Sequence, residues 1–102
     1  MVHQIIWAPR ALADLGEIVR YSSRDNPDAA RRFGGRLIAK AESLATFPER
    51  GRVIRKFADP SIREIFLRSY RIAYRIRSQS PPTVEIARIW HGAQSEEGFE
   101  LE

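Results

Sequence analysis

His91 is the imidazole that this sequence sets among arginines, in "TVEIARIWHG" at the end of its last hydrophobic run. Upstream, "GRVIRKF" carries Arg52, Arg55 and Lys56, and "REIFLRSYRIAYRIR" carries Arg63, Arg68, Arg71, Arg75 and Arg77. Residues of these types suit phosphodiester cleavage. An imidazole moves a proton to or from a ribose 2′-hydroxyl, while guanidiniums hold the phosphate and take up the charge of the transition state. The same residues have a plainer use, as a hydrogen-bonded histidine ending a strand and as charges that keep a sheet face soluble. Glu64 and Glu85 are the carboxylates of this region and Tyr70 and Tyr74 its phenols. An arginine beside each carboxylate favours the ionised, structural form, and both tyrosines fall on the apolar side of their run. His3, near the start, is incidental to this set. There is no cysteine, no HExxH pair, no phosphate-binding glycine loop and no nucleophile elbow, so neither a metal nor a cofactor is expected.

The elements that must position these groups can be read from periodicity. "HQIIW" is a short strand. Pro9 suits the first turn of a helix, and Ala11, Leu12, Leu15, Ile18, Val19 and Ser22 recur at three- and four-residue spacing. A second helix starts in "DNPDAA", with Asn26 as its cap, Pro27 at its first position and Asp28 near the positive end of the dipole. Its packed stripe is Ala30, Phe33, Leu37, Ala41 and Leu44, and Arg31, Arg32, Arg36, Lys40 and Glu42 lie mostly outside it. Pro48 closes it, and the short link makes the two helices an antiparallel hairpin. Then the period changes to two: "RVIRKF", "IREIFLR", "YRIAYRIR" and "TVEIARIWH" read as strands, with "ADPS" and "SQSPP" as connections. The order β-α-α-β-β-β-β predicts an α+β fold with helices on one face of a mainly antiparallel sheet.

With "SQSPP" as a five-residue hairpin loop, Arg75 faces Glu85 and Tyr74 faces Ile86. With Ser69 and Tyr70 as the preceding turn, Arg75 also faces Glu64, giving a polar row across three strands. The same register sets Arg68 beside Arg71 and leaves Arg77 opposite Ile62 and Thr83. Like charges side by side call for an anion or a partner, which marks Arg68, Arg71 and Arg77 as candidate contacts to a target or inhibitor. Arg63 and Arg88 fall on the core face and need a partner or an exit to solvent. Trp90 falls with Val84 and Ile86, beneath the helices.

At 102 residues with 43% hydrophobic and 29% charged side chains, the chain is sized for one globular domain. Residues 1–94 hold 17 basic against 9 acidic side chains, and the remaining four acids sit in the tail 95–102, "SEEGFELE". That places one domain at 1–94 followed by an acidic tail. The basic excess fits phosphate backbones, ribosomal RNA or an acidic protein. No apolar run approaches the roughly 20 residues of a membrane span and no secretory signal is present, so a cytoplasmic location is the expectation.

The ordered set Pro9, Ala11, Asp14, Leu15, Tyr21, Pro48, Gly51, Arg63, Glu64, Tyr70, Arg71, Tyr74, His91 and Gly92 resembles the RelE/ParE superfamily of bacterial toxins from type II toxin–antitoxin modules. The resemblance spans about residues 4–93. It implies a helix hairpin on an antiparallel sheet and a cognate antitoxin whose C-terminal segment wraps the toxin. RelE-like members cut mRNA in the ribosomal A site, which here would use Arg52, Arg55 or Lys56, Arg71, Arg88 and His91. ParE-like members inhibit DNA gyrase without catalysis. The opening "APRALADLGEIVRYSSRDNPDAARRF" is similar to the ParE side, and Gln94 stands where related sequences often have arginine. The expectation is therefore a gyrase inhibitor, with a ribosome-dependent mRNA endoribonuclease as the alternative and a non-toxic protein-binding module as a third.

Overall fold

In a computed structural model, which describes residues 2–92, the chain runs β1 (Gln4–Trp7), α1 (Pro9–Ser22), α2 (Pro27–Glu42), β2 (Arg52–Val53), β3 (Ile62–Leu67), β4 (Tyr70–Arg77) and β5 (Thr83–His91). Gln94, the end of the domain at residue 94 and the acidic tail lie outside the described residues. Single 3-10 turns occupy Ser43–Ala45, Pro48–Arg50 and Arg55–Phe57. The sheet order is β1-β5-β4-β3-β2, with β1 parallel to β5 and every other pair antiparallel. This is the α+β architecture expected from the sequence.

Local chemistry sets the helix ends. Pro9 and Pro27 each occupy a first turn, where the missing N–H has no intrahelical partner to lose. Asn26 Oδ1 accepts from the Ala29 N–H at 3.0 Å, satisfying one of the orphan donors of α2. Ala8 N–H donates to the Ile86 carbonyl at 2.9 Å, so the chain leaves β1 still attached to β5 before it turns into α1. Ala11, Leu37, Ala41 and Leu44 from the helical segment pack on Ile65, Ile72, Tyr74, Val84, Ile86 and Ile89 of the sheet. A second apolar cluster, Ile54, Ile62, Ala73 and Trp90 with Phe57 against it, lies apart from that core. In β4 the side chains alternate between the two: Ile72 and Tyr74 belong to the first cluster, Ala73 to the second.

Three expectations are corrected. The strand expected over "RVIRKF" shrinks to Arg52–Val53, because Ile54 and Phe57 turn inward through the 3-10 segment to cover the second cluster, and Ala58, at φ 51°, ends it. The β3–β4 turn is Arg68–Ser69, so Leu67 pairs with Tyr70, Glu64 lies opposite Ala73 and Ile62 opposite Arg75. Arg75 does face Glu85, but the row Glu64–Arg75–Glu85 does not form, and Arg71 lies opposite Phe66 rather than beside Arg68. Finally, the pairing of Ala73 with Arg88 and of Tyr74 with Ile86 leaves Ala87 as an inserted residue in β5. This bulge reverses the phase of the strand. Ile89 takes the helix side and Trp90 joins the opposite cluster instead of packing beneath the helices.

Candidate functional site

The arginines expected to act from the strands are mostly engaged in the fold. Arg71 is buried and donates to both oxygens of buried Glu64, Nε to Oε1 at 2.8 Å and Nη2 to Oε2 at 3.0 Å. Its guanidinium also lies 4.7 Å from the Trp90 ring centroid and 5.9 Å from that of Phe66. Set between two aromatic rings and forked onto a carboxylate, it makes the contacts for which guanidinium geometry is suited. Arg52 Nε donates to the same Glu64 at 2.9 Å while its own side chain stays exposed. Arg88 reaches Asp14 of α1 through Nε at 2.8 Å, and Asp14 also accepts from the Ile89 N–H at 2.9 Å, so this carboxylate pins α1 to the upper part of β5. Arg77 donates to Glu85 at 3.2 Å. Arg63 finds its partners in the carbonyls of Pro60, Glu49 and Gly51. Arg55 and Lys56 are exposed on the 3-10 turn, with Lys56 over the Phe57 ring at 5.7 Å.

Tyr74 is wholly buried. Its hydroxyl donates to the Pro48 carbonyl at 2.7 Å and accepts from the Gly51 N–H at 2.9 Å, stitching the connection before β2 to the sheet. Burial raises its pKa above the ordinary value of 10.0, opposed by the Gly51 hydrogen bond. A side chain at Gly51 would meet that hydroxyl, at 2.5 Å from its Cβ, so this position has no room for one.

His91 is placed differently. It is exposed at the end of β5, opposite Tyr70, and its ring meets the Tyr70 ring edge-on with centroids 5.3 Å apart. Tyr70 in turn packs against Phe33 of α2 at 5.6 Å. These three rings line a cleft of about 640 Å³ between α2 and the β3–β4 turn, whose basic members are Arg32, Arg36 and Arg68. Among the described residues no carboxylate pairs with any of those three arginines. Arg68 lies over the Phe33 ring at 5.7 Å and holds φ at 53°, in a turn position that glycine usually fills. Of the residues singled out from sequence, then, Arg68 and His91 meet in one cleft, whereas Arg52, Arg71 and Arg88 are tied to carboxylates. Arg32 and Arg36 were overlooked because they lie off the packed stripe of α2. Their four-residue spacing is the signal that marks them as one exposed line.

The cleft presents three guanidiniums, aromatic surface and an imidazole, groups suited to a ligand that is both anionic and planar. Among the described residues no group of histidine and acidic side chains could hold a metal ion, and no helix is long and apolar enough to cross a membrane.

Residues 5–96 match a family model described as "ParE toxin of type II toxin-antitoxin system, parDE". The chain is 40% identical over 92 residues to Toxin RelE2 of Caulobacter vibrioides, covering 89% of this chain and 97% of that protein. Solved structures share the fold, two of them as follows. One is a chromosomal ParDE system from P. aeruginosa (TM-score 0.70, 19% identity, 88% of this chain and 96% of that one). The other is the RelBE2 complex from Mycobacterium tuberculosis (TM-score 0.68, 23% identity, 92% and 95%).

Proposed function

The chain belongs to the RelE/ParE superfamily of toxins of type II toxin–antitoxin systems, with a cognate antitoxin as its partner, and from that premise we propose that it cuts messenger RNA on the ribosome. One observation carries the choice: exposed His91 shares a cleft with Arg68, Arg32, Arg36 and Tyr70. Gyrase inhibition is the expectation that the ParE-like opening segment and Gln94 support, and neither bears on the cleft. There α2 and the β3–β4 turn surround His91 with guanidiniums. In the proposed reaction the ribose 2′-oxygen attacks the adjacent phosphorus and the bond to the 5′-oxygen breaks, leaving a cyclic phosphate and a free 5′-hydroxyl. His91 takes the proton of the 2′-hydroxyl, solvent water delivers one to the departing 5′-oxygen, Tyr70 steadies the imidazole ring, and Arg68 offsets the charge that grows on the non-bridging oxygens.

A gyrase poison is the second reading. It is favoured by the engagement of Arg71 with Glu64 and of Arg88 with Asp14, which takes two expected phosphate clamps out of reach. Paired assays separate the two. Purified protein is added to translating ribosomes, with cleavage mapped along the message, and in parallel to a gyrase supercoiling and DNA-cleavage assay. Codon-positioned cuts that fall about 100- to 10,000-fold in rate with His91→Ala support the nuclease. Intact message with accumulating cleaved DNA, unchanged by that substitution, gives the role to gyrase.

A further inference from the structure

Arg32 and Arg36 stand one helical turn apart along α2, about 6 Å in rise, on the wall of the cleft away from the strands. Both are exposed, and neither pairs with a carboxylate among the described residues, in contrast to Arg31 beside them, which bonds Asp28. An uncompensated pair of guanidiniums on a helix is repulsive unless an anion lies between or along them. Phe33 sits between them in sequence and joins Tyr70 as an aromatic wall of the same cleft. Guanidiniums in a line beside aromatic faces are how proteins follow a single-stranded backbone whose bases are free to stack.

We propose that α2 is a phosphate-binding track: Arg32 and Arg36 hold backbone phosphates of single-stranded RNA beyond the one held by Arg68 near His91. The strand therefore leaves the sheet and runs over the helix hairpin. The track serves affinity and register and takes no part in the chemistry. It rests on the RNA-cleaving reading of the cleft, but its test is independent of cleavage.

The probe is a fluorescently labelled eight-nucleotide RNA with every 2′-hydroxyl methylated, which cannot be cut, titrated with the full-length chain from about 50 to 200 mM salt. Each lost phosphate contact lowers the slope of log affinity against log salt by about 0.7 for a single strand. Arg32→Ala/Arg36→Ala is expected to lower it by about 1.4 in magnitude, and Arg36→Gln alone by about half as much. Arg31→Ala should leave it unchanged. Circular dichroism verifies that the variants are folded; alanine favours the helix at both sites. A slope unmoved by the double substitution, a drop of equal size with Arg31→Ala, or equally tight binding of duplex RNA overturns the track. If ribosomal cleavage is present and the slope does not move, the track alone fails. If the slope moves but no message is cut, the track stands and the nuclease reading falls.

Discussion

Arg71 and Glu64 illustrate how one side chain decides the role of another. Both are buried, so the pair survives only because the carboxylate is bonded to two arginines and Arg71 is held between aromatic rings. Glu64→Gln leaves a buried guanidinium uncompensated and should destabilise the fold by about 3–5 kcal/mol, whereas replacing the pair together with apolar residues should recover much of that. Urea denaturation of the single and double variants measures both. Tyr74→Phe strands the Gly51 N–H and the Pro48 carbonyl and should cost about 1–3 kcal/mol at neutral pH. Because folding raises the pKa of this phenol, its contribution is fully present below the ordinary value of 10.0 and is lost as pH climbs through the raised one. The gap between wild type and Tyr74→Phe should therefore narrow in alkaline solution. Arg68 presents the opposite case, a residue kept at a cost. Its left-handed backbone strains any side chain, so Arg68→Gly should leave stability unchanged or raise it by up to about 1 kcal/mol, while message cleavage falls by two orders of magnitude or so. Thermal unfolding and a cleavage assay on the same preparation check the trade.

Adjacent glycines in α2 separate packing from propensity at the scale of the element. A methyl group on Gly34 would lie 2.8 Å from Val19 Cγ2, so the two helices approach closely there, while one on Gly35 would meet nothing within 4 Å. Gly34→Ala should cost about 1–3 kcal/mol by forcing the hairpin apart, and Gly35→Ala should gain about 0.5–1 kcal/mol from lost flexibility. In a domain of this size 1 kcal/mol moves the melting temperature by roughly 4–8 °C, which calorimetry resolves. Both helices and β4 were legible because each has an uninterrupted period and a Pro, Asn or loop signal at its ends, and β5 because its apolar run is bounded by the "SQSPP" loop and Gly92. The bounds of "YRIAYRIR" and "TVEIARIWH" stand as read. What the sequence hid were single-residue events: a turn centred one position earlier, at Arg68–Ser69, and the insertion of Ala87 in β5. Moving the turn shifts the cross-strand partner of Glu64 by two residues, from Arg75 to Ala73, on an unchanged face, whereas the insertion reverses the sides of Ile89 and Trp90; Arg75 lies opposite Glu85 as read, but the ion pair of Glu85 is made with Arg77. Arg32 and Arg36 escaped for another reason. Helical periodicity identifies what is buried, and says only that the remainder is exposed, not that an exposed line borders a cleft made with a distant turn.

Across the molecule, two basic regions among the described residues compete for the role of working face. One is the cleft of His91, Arg68, Arg32 and Arg36, and the other is the groove around Arg52, Val53, Ile54 and Arg55 with Glu64 at its floor. A net charge of +4 at pH 7, on a chain whose pI is about 10.1, draws polyanions toward both. Attraction alone does not identify the working face, because long-range steering is shared by all exposed cations. On the proposed reading the cleft, not the groove, is where the message is cut. The rate of message cleavage on programmed ribosomes, measured for His91→Ala and for Arg55→Ala/Lys56→Ala under one salt condition, tests it most directly. The expected result is a loss of at least about 100-fold for His91→Ala and a change of only a few-fold for the double variant. Full activity in His91→Ala with cleavage abolished in Arg55→Ala/Lys56→Ala would contradict it and move the working site to the opposite groove.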